Sequence, residues 1–230
     1  MTNSTHPPYT RKLSGITADR ERLLLKKIAE FLPDWVSPNL LTLFGVFGAI
    51  LVCAGYLASP WSAHLLWLAI AGFVIHWFGD SLDGTLARLR HIERPRFGMF
   101  IDQAADFISA TIMIVGIGLS PWARLDIAFA TLAAYFLLAA LVHLRAGVLG
   151  VYDVAHDGIG PTEGRIFMIV LTLMMIVQSP DNVTRVFLDF TILDCVLGIM
   201  VFWAAVTFVR EMAKVGRFLA KEEPQRDTRR

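Results

Sequence analysis

Charge is what this chain has least of. Only 18% of its 230 residues are charged, against 55% hydrophobic, where a soluble domain of this length carries about a quarter charged residues. That shortage excludes an ordinary water-soluble globule. The charge present is balanced: Lys plus Arg number 21, Asp plus Glu 20, and the formal net charge is +1. No excess cation is left over for phosphate backbones, so nucleic acid is not an expected partner. Cysteine is scarce too. Cys53 and Cys195 both fall in apolar runs and read as small core residues, not as a disulfide or a metal pair. A cleavable signal is not evident, because the polar and amphipathic stretch before the first apolar run, near Pro38, exceeds an ordinary n-region.

Long apolar runs fill the space that charge leaves. Six can be drawn, at about 39–58, 63–83, 98–119, 123–144, 162–179 and 186–209, each near the roughly 20 residues that cross a hydrocarbon core as a helix. Ser59-Pro60, Ser120-Pro121, Gly160-Pro161 and Ser179-Pro180-Asp181 punctuate them. The expected fold is all-α: a polytopic membrane protein with six transmembrane helices and an N-terminal amphipathic interfacial helix. The expected division is a cytoplasmic arm over 1–36, a transmembrane catalytic domain over 37–213 and a cytoplasmic tail over 214–230. Arg88 and Arg90 extend the second helix past the membrane surface. The 145–160 stretch reads as a loop, a helix extension, or both.

Basic residues set the orientation. Arg11, Lys12, Arg20, Arg22, Lys26 and Lys27 precede the first span, and Arg90, Arg94 and Arg96 fill the second-to-third loop. Arg145 and Arg165 flank the next loop on that side, while the opposite loops hold only Arg124 and Arg185. The positive-inside rule places both termini in the cytoplasm, and the expected location is a bacterial inner membrane. Residues 18–32 form a helix candidate that Asp19 can cap, with Leu24, Ile28 and Phe31 on an apolar face. It lies either on the membrane surface or against the underside of the bundle.

Against this low background, four carboxylates stand out. Asp80 and Asp83 close the second run, and Asp102 and Asp106 open the third. Spacings of three and four put each pair on one helix face. A short loop makes the two helices antiparallel neighbours, so the acids meet at the cytoplasmic edge. Uncompensated, they would repel. Mg²⁺ or Mn²⁺, which take carboxylate, water and phosphate oxygens, remove that conflict. Gly84, Ala87 and Gly98 keep the cleft walls small, and Arg88 offers a planar fork for phosphate. Helix capping and surface charge explain Arg90, Glu93, Arg94 and Arg96, but not four facing acids beside hydrocarbon.

These residues read D-x2-D-G-x2-A-R-x9-G-x3-D-x3-D, which resembles the signature of the CDP-alcohol phosphatidyltransferases. The Arg88-to-Gly98 spacer is one residue longer than is usual in that family and falls in the loop. The resemblance implies transfer of a substituted phosphate from a CDP-linked alcohol donor to an acceptor alcohol, with release of CMP. It implies a two-metal site held by Asp80, Asp83, Asp102 and Asp106, with Asp106 also the base for the acceptor hydroxyl. Gly84, Ala87 and Arg88 would then line the CDP site, and a homodimer is expected. The chemistry agrees: paired cations clamp a pyrophosphate, and a carboxylate beside them can take the hydroxyl proton.

Other polar residues carry two readings each. Ser37 caps the first span and Pro38 opens it, while Asn39 and Thr42 share a face and resemble the family's nucleotide-side helix entry. His76, one turn before Asp80, either supports a metal-binding carboxylate or is a polar residue between helices. Asp153, His156 and Asp157 fit a hydrated loop better than a second metal cluster. The Gly160–Gly164 string, G-P-T-E-G, resembles the family's aminoalcohol branch, which joins CDP-choline or CDP-ethanolamine to a membrane lipid alcohol. His143 and Glu163 would then meet headgroup or acceptor. Arg145 and Arg165 suit instead a phosphorylated soluble acceptor, with CDP-diacylglycerol as donor. An ion transporter is the alternative of another class; Asp189 and Asp194 lack matching acids in the first half, where a transporter shows paired mid-membrane elements. Ala110, Gly116 and Gly118 mark small residues in the third span without identifying the face they meet.

Overall fold

A computed structural model describes residues 10–12, 18–153, 161–177, 185–187 and 190–223. Seven α-helices occur among the described residues: α1 (Ala18–Glu30), α2 (Pro38–Ala58), α3 (Leu66–Leu89), α4 (Pro95–Gly118), α5 (Leu125–Leu149), α6 (Pro161–Val177) and α7 (Ile192–Glu222). Five segments are long and apolar enough to cross a membrane: α2, α3 with the 3-10 turn at Ala63–Leu65, α4, α5 and α7. The protein is an all-α polytopic membrane protein. The fifth expected span, 162–179, coincides with α6, whose 17 described residues rise roughly 25 Å, a little short of the hydrocarbon core. The last span starts later than expected. Arg185–Phe187 (β3) pairs antiparallel with Phe190–Thr191 (β4), and α7 follows from Ile192, capped by Thr191 and Asp194. It then runs on to Glu222, so the first residues of the expected tail continue this helix.

Local chemistry sets the helix ends. Ser37 Oγ accepts the Leu40 N–H at 3.2 Å and Pro38 begins α2, as the sequence predicts. Exposed Trp35 and Trp61 flank α2 at its two ends, where amphipathic rings suit the membrane–water interfaces. Past Leu149 the chain turns at Gly150, whose φ of 68° is the left-handed conformation glycine adopts freely. The 145–160 stretch thus begins as helix. Residues Val151–Asp153 (β2) then pair in parallel with Thr10–Lys12 (β1). His156, Asp157 and Gly160, like Asp189 and the 224–230 end, lie outside the described residues.

Backbone contact between α2 and α3 dominates the bundle. A Cβ added at Gly72 would stand 2.6 Å from both the Gly48 carbonyl oxygen and the Val52 nitrogen. One at Gly79 would run into the backbone of Leu41 and Gly45. Only glycine permits this approach, the usual device of membrane helices that lack a hydrophobic force between them. Gly116 of α4 meets Cys53 of α2, and Gly118 meets Ala128 of α5, which assigns those small residues their faces. α2 therefore packs against both α3 and α4, whereas α3 and α4 barely approach one another. The acid-bearing helices are joined by a short turn, as expected, but both lean on α2, with few backbone contacts between them.

One buried cluster, from Val52, Tyr56 and Leu66 to Leu193 and Leu197, fills the end of the bundle remote from the acids. Tyr56 Oη and Thr172 Oγ1 share a hydrogen bond at 2.8 Å there, and Trp122 Nε1 donates to Ser59 Oγ at 2.8 Å. The second cluster joins α1 to the bundle. Leu25 and Ala29 pack on Val36, Leu41, Leu82 and Leu86, while Leu23, Leu24 and Phe31 stay exposed. The amphipathic helix thus has two apolar strips. One seals the underside of the bundle, and the other is free to face lipid.

Candidate active site

The connection between α3 and α4 decides where the acids stand. At the end of α3, His91 adopts φ 56°. Its N–H bonds to the Arg88 carbonyl at 3.2 Å, and the Ile92 N–H to the Ala87 carbonyl at 3.1 Å. This is a Schellman closure with histidine where glycine is usual. Residues 90–94 then reverse the chain into Pro95 of α4. Arg90 locks it: Nη1 donates to the carbonyl oxygens of Val36 (2.5 Å) and Asp34 (3.4 Å), and Nη2 to those of Pro33 (2.9 Å) and Leu32 (3.0 Å). A residue that surface charge alone would explain is in fact a clamp between the α1–α2 linker and the end of α3.

Across the gap, one ligand oxygen from each of Asp80, Asp102 and Asp106 lies within 4.8 Å of the others. Asp80 also accepts Arg165 Nη2 of α6 at 2.5 Å, with both side chains largely shielded. Asp83 stands beside this trio. Its Oδ2 accepts the Thr42 hydroxyl of α2 at 2.5 Å, and its Oδ1 the Gly84 N–H at 2.5 Å. It interacts electrostatically with Asp80 and Asp102. Three close carboxylates in a shielded setting repel unless cations accompany them. Arg165 supplies one positive charge. The donor set, all carboxylate oxygen, is what Mg²⁺ or Mn²⁺ takes, so the residues fit the ions expected from the sequence.

Gly84, Ala87 and Arg88 continue the α3 face beyond Asp83. Arg88 folds back so that Nη2 donates to Thr85 Oγ1 at 3.2 Å, and the nearest atoms to a Cβ at Gly84 would be those of that flexible guanidinium. Gly98 is exposed, and among the described residues a Cβ added there meets no neighbouring element within 4 Å. Asn39 is exposed in the first turn of α2, one turn from Thr42.

The remaining candidates disperse. His143 Nδ1 hydrogen-bonds within its own helix to the Ala139 carbonyl at 2.7 Å, and its ring lies 6.1 Å from that of Phe107, next to Asp106 in the chain. Arg145 pairs with Glu211 of α7 at 3.4 Å. Glu163 stands in the first turn of α6, two residues before Arg165. His76 is buried, and its Nδ1 has no hydrogen-bond partner among the described residues. Sequence reading missed Glu21 of α1. Its Oε1 accepts the Trp77 indole N–H at 2.7 Å and the Thr162 hydroxyl at 2.9 Å. No local motif signals it, because its partners lie on two distant helices.

Comparison with known proteins agrees with this geometry. An uncharacterized protein of Aquifex aeolicus (strain VF5) is 37% identical over 100 residues, which cover 41% of this chain and 46% of that relative. The chain thus spans less than half of the relative's length. A family model described as CDP-alcohol phosphatidyltransferase matches residues 35–210, from the linker clamped by Arg90 to well into α7. That range holds all four aspartates and the helices that carry them, so the chain belongs to the CDP-alcohol phosphatidyltransferase family of transferase enzymes.

Proposed function

We propose that this protein transfers a substituted phosphate from a CDP-linked alcohol to an acceptor alcohol at a membrane surface. The observation that carries the reading is the meeting of Asp80, Asp102 and Asp106 within 4.8 Å across the α3–α4 gap, inside a region with that family's sequence pattern. The acceptor oxygen bonds to the phosphorus bearing the donor alcohol. The phosphoanhydride bond to CMP breaks, and the hydroxyl proton passes to Asp106. Two Mg²⁺ or Mn²⁺ ions, when held by the four aspartates, would offset the phosphate charge and the charge developing on departing CMP. Thr42 fixes the rotamer of Asp83, and Arg165 balances Asp80. Gly84, Ala87, Arg88, Asn39 and Gly98 border the space assigned to the nucleotide, where small walls admit a ligand close to backbone.

The favoured donor is a CDP-aminoalcohol and the favoured acceptor a membrane lipid alcohol. Thr162-Glu163-Gly164 opens α6 beside the acid cluster, and Glu163 offers a carboxylate to a cationic headgroup. The second reading makes CDP-diacylglycerol the donor and a phosphorylated soluble alcohol the acceptor. Arg165, whose guanidinium lies at Asp80, favours it, because that planar fork also suits a phosphate. Residues 37–213 form the catalytic unit in either case, with the 1–36 arm and the 214–230 tail attached. The protein acts as a homodimer in a bacterial inner membrane, with termini and site on the cytoplasmic side. CMP release in detergent, over a grid of donors and acceptors with Mg²⁺, Mn²⁺ or chelator, tests this. CDP-ethanolamine with diacylglycerol should give metal-dependent CMP. Activity only with CDP-diacylglycerol and a soluble alcohol would select the second reading. Full activity in both Asp83→Asn and Asp106→Asn would sink the assignment.

A further inference from the structure

Glu21 belongs to no motif, yet it touches the two helices that carry the Asp80–Arg165 pair. Its carboxylate accepts Trp77 Nε1 at 2.7 Å and Ser81 Oγ at 3.5 Å from α3. From α6 it accepts Thr162 Oγ1 at 2.9 Å and 3.1 Å, one distance to each carboxylate oxygen. Trp77 and Ser81 lie one turn apart and bracket Asp80 in the chain. Thr162 lies one turn before Arg165, on the same face of α6. The carboxylate thus sits on the α3–α6 seam and also interacts electrostatically with Arg165. Arg165 faces three acids: Asp80, Asp106 and Glu21.

Stapling two helices needs only an acceptor, which a neutral amide oxygen would supply. The negative charge has a separate consequence. Arg165 and any divalent cation compete for the oxygens of Asp80. A further anion at the seam draws the guanidinium partly to itself and lowers its hold on Asp80. We propose that Glu21 is a positioning residue whose charge holds Arg165 in balance between α1 and Asp80, so that Asp80 remains open to a divalent cation. This rests on reading the aspartates as a metal site. It makes the arm helix a working part of the centre, not only a membrane contact.

Mn²⁺ alone, titrated by electron paramagnetic resonance into the full chain in detergent, tests the proposal without substrate. Glu21→Gln keeps an acceptor for Trp77 and Thr162 but removes the charge, and should weaken Mn²⁺ binding by about tenfold, as loss of an outer partner of a metal ligand does. If the charge acts through Arg165, the same change in an Arg165→Gln background should alter affinity by less than roughly twofold. Thr162→Val removes a staple and keeps the charge; it should leave Mn²⁺ affinity within the same roughly twofold range even where it lowers the melting temperature. Unchanged binding in Glu21→Gln, an equal loss in both backgrounds, or a tenfold loss in Thr162→Val would each overturn the proposal. Wild-type protein that binds no Mn²⁺ would overturn the metal reading itself, and this inference with it.

Discussion

The two ends of the bundle treat acidic side chains in opposite ways. At the end remote from the site, Asp194 is 1% exposed. It accepts the Thr191 N–H at 2.9 Å and the Arg124 N–H at 2.7 Å, in the first turn of α7. Backbone donors and the helix dipole meet its charge locally. At the other end, Asp80, Asp102 and Asp106 face one another from helices that barely touch. No capping rule asks for them there, and their mutual repulsion opposes folding. An acid that completes its own helix end is a structural part. Acids gathered across a gap against their own repulsion are what a functional site looks like, since local consistency is given up where function demands it.

That contrast gives the largest expected effect. Asp106→Asn should lower metal-dependent CMP release by roughly 10²- to 10⁴-fold, the usual worth of a positioned proton acceptor. Without divalent ions its melting temperature in detergent should equal or exceed the parent's, because a repulsive charge is gone. Asp194→Ala should do the reverse. One buried and one partly buried N–H group lose their partner, so stability should fall by about 1–3 kcal/mol, while turnover per folded molecule holds. A destabilised Asp106→Asn, or an Asp194→Ala inactive while folded, would erase the distinction.

Next in size is the α2–α3 seam, which brings Thr42 to Asp83. Gly72→Ala would force a Cβ into the backbone of Gly48 and Val52. The cost should be roughly 1–3 kcal/mol, as for other overpacked interfaces, read as a lower melting temperature. Activity should fall with it as the Thr42–Asp83 bond is displaced. Arg90→Lys should follow, at about 1.5–3 kcal/mol for hydrogen bonds to a charged group. A lysine point charge cannot span four carbonyls as the guanidinium fork does, so charge retention should not rescue it.

These positions also mark what the sequence disclosed. Apolar runs located α2 to α5 to within a few residues, because hydrocarbon thickness dictates length. Helical spacing and the short loop led to a meeting of all four acids; Asp80, Asp102 and Asp106 gather within 4.8 Å and Asp83 stands beside them, while Ser37 and Pro38 do open a helix. What escaped was any partnership across long sequence separation. Arg90 reads as an exposed charge until the α1–α2 linker is seen beneath it. Glu21 and Arg165 gain meaning only where α1, α3 and α6 converge, and Arg145 only against Glu211. The separation of α3 from α4 was hidden because a short loop says where helices join, not what lies between them. Gly45 and Gly48, which face Gly79 and Gly72, and Gly55, which faces Ala69, formed a pattern that the sequence reading did not use. Their spacing of three and seven residues marks one face on each helix.

The smallest expected structural effect offers the sharpest test of the cleft. Glycine inside a helix costs about 1 kcal/mol relative to alanine. At Gly72 the close approach of α2 offsets that loss. At Gly98 no described neighbour does: the residue is exposed, lies within α4 one turn before Asp102, and a Cβ there meets no atom of another described element within 4 Å. Gly98→Ala should therefore leave the melting temperature unchanged or raise it, by at most about 1 kcal/mol of stability. If the space beside Gly98 admits the nucleotide, the same methyl should raise KM for the CDP-linked donor severalfold and leave KM for the acceptor alone. A donor KM that does not move would place the nucleotide elsewhere in the gap. A fall in stability would mean that α4 makes, at this turn, a contact with a second copy of the chain. A donor KM that rises would make Gly72 and Gly98 the same residue type with opposite roles, one closed by a helix already against it and the other open to a ligand that must come close.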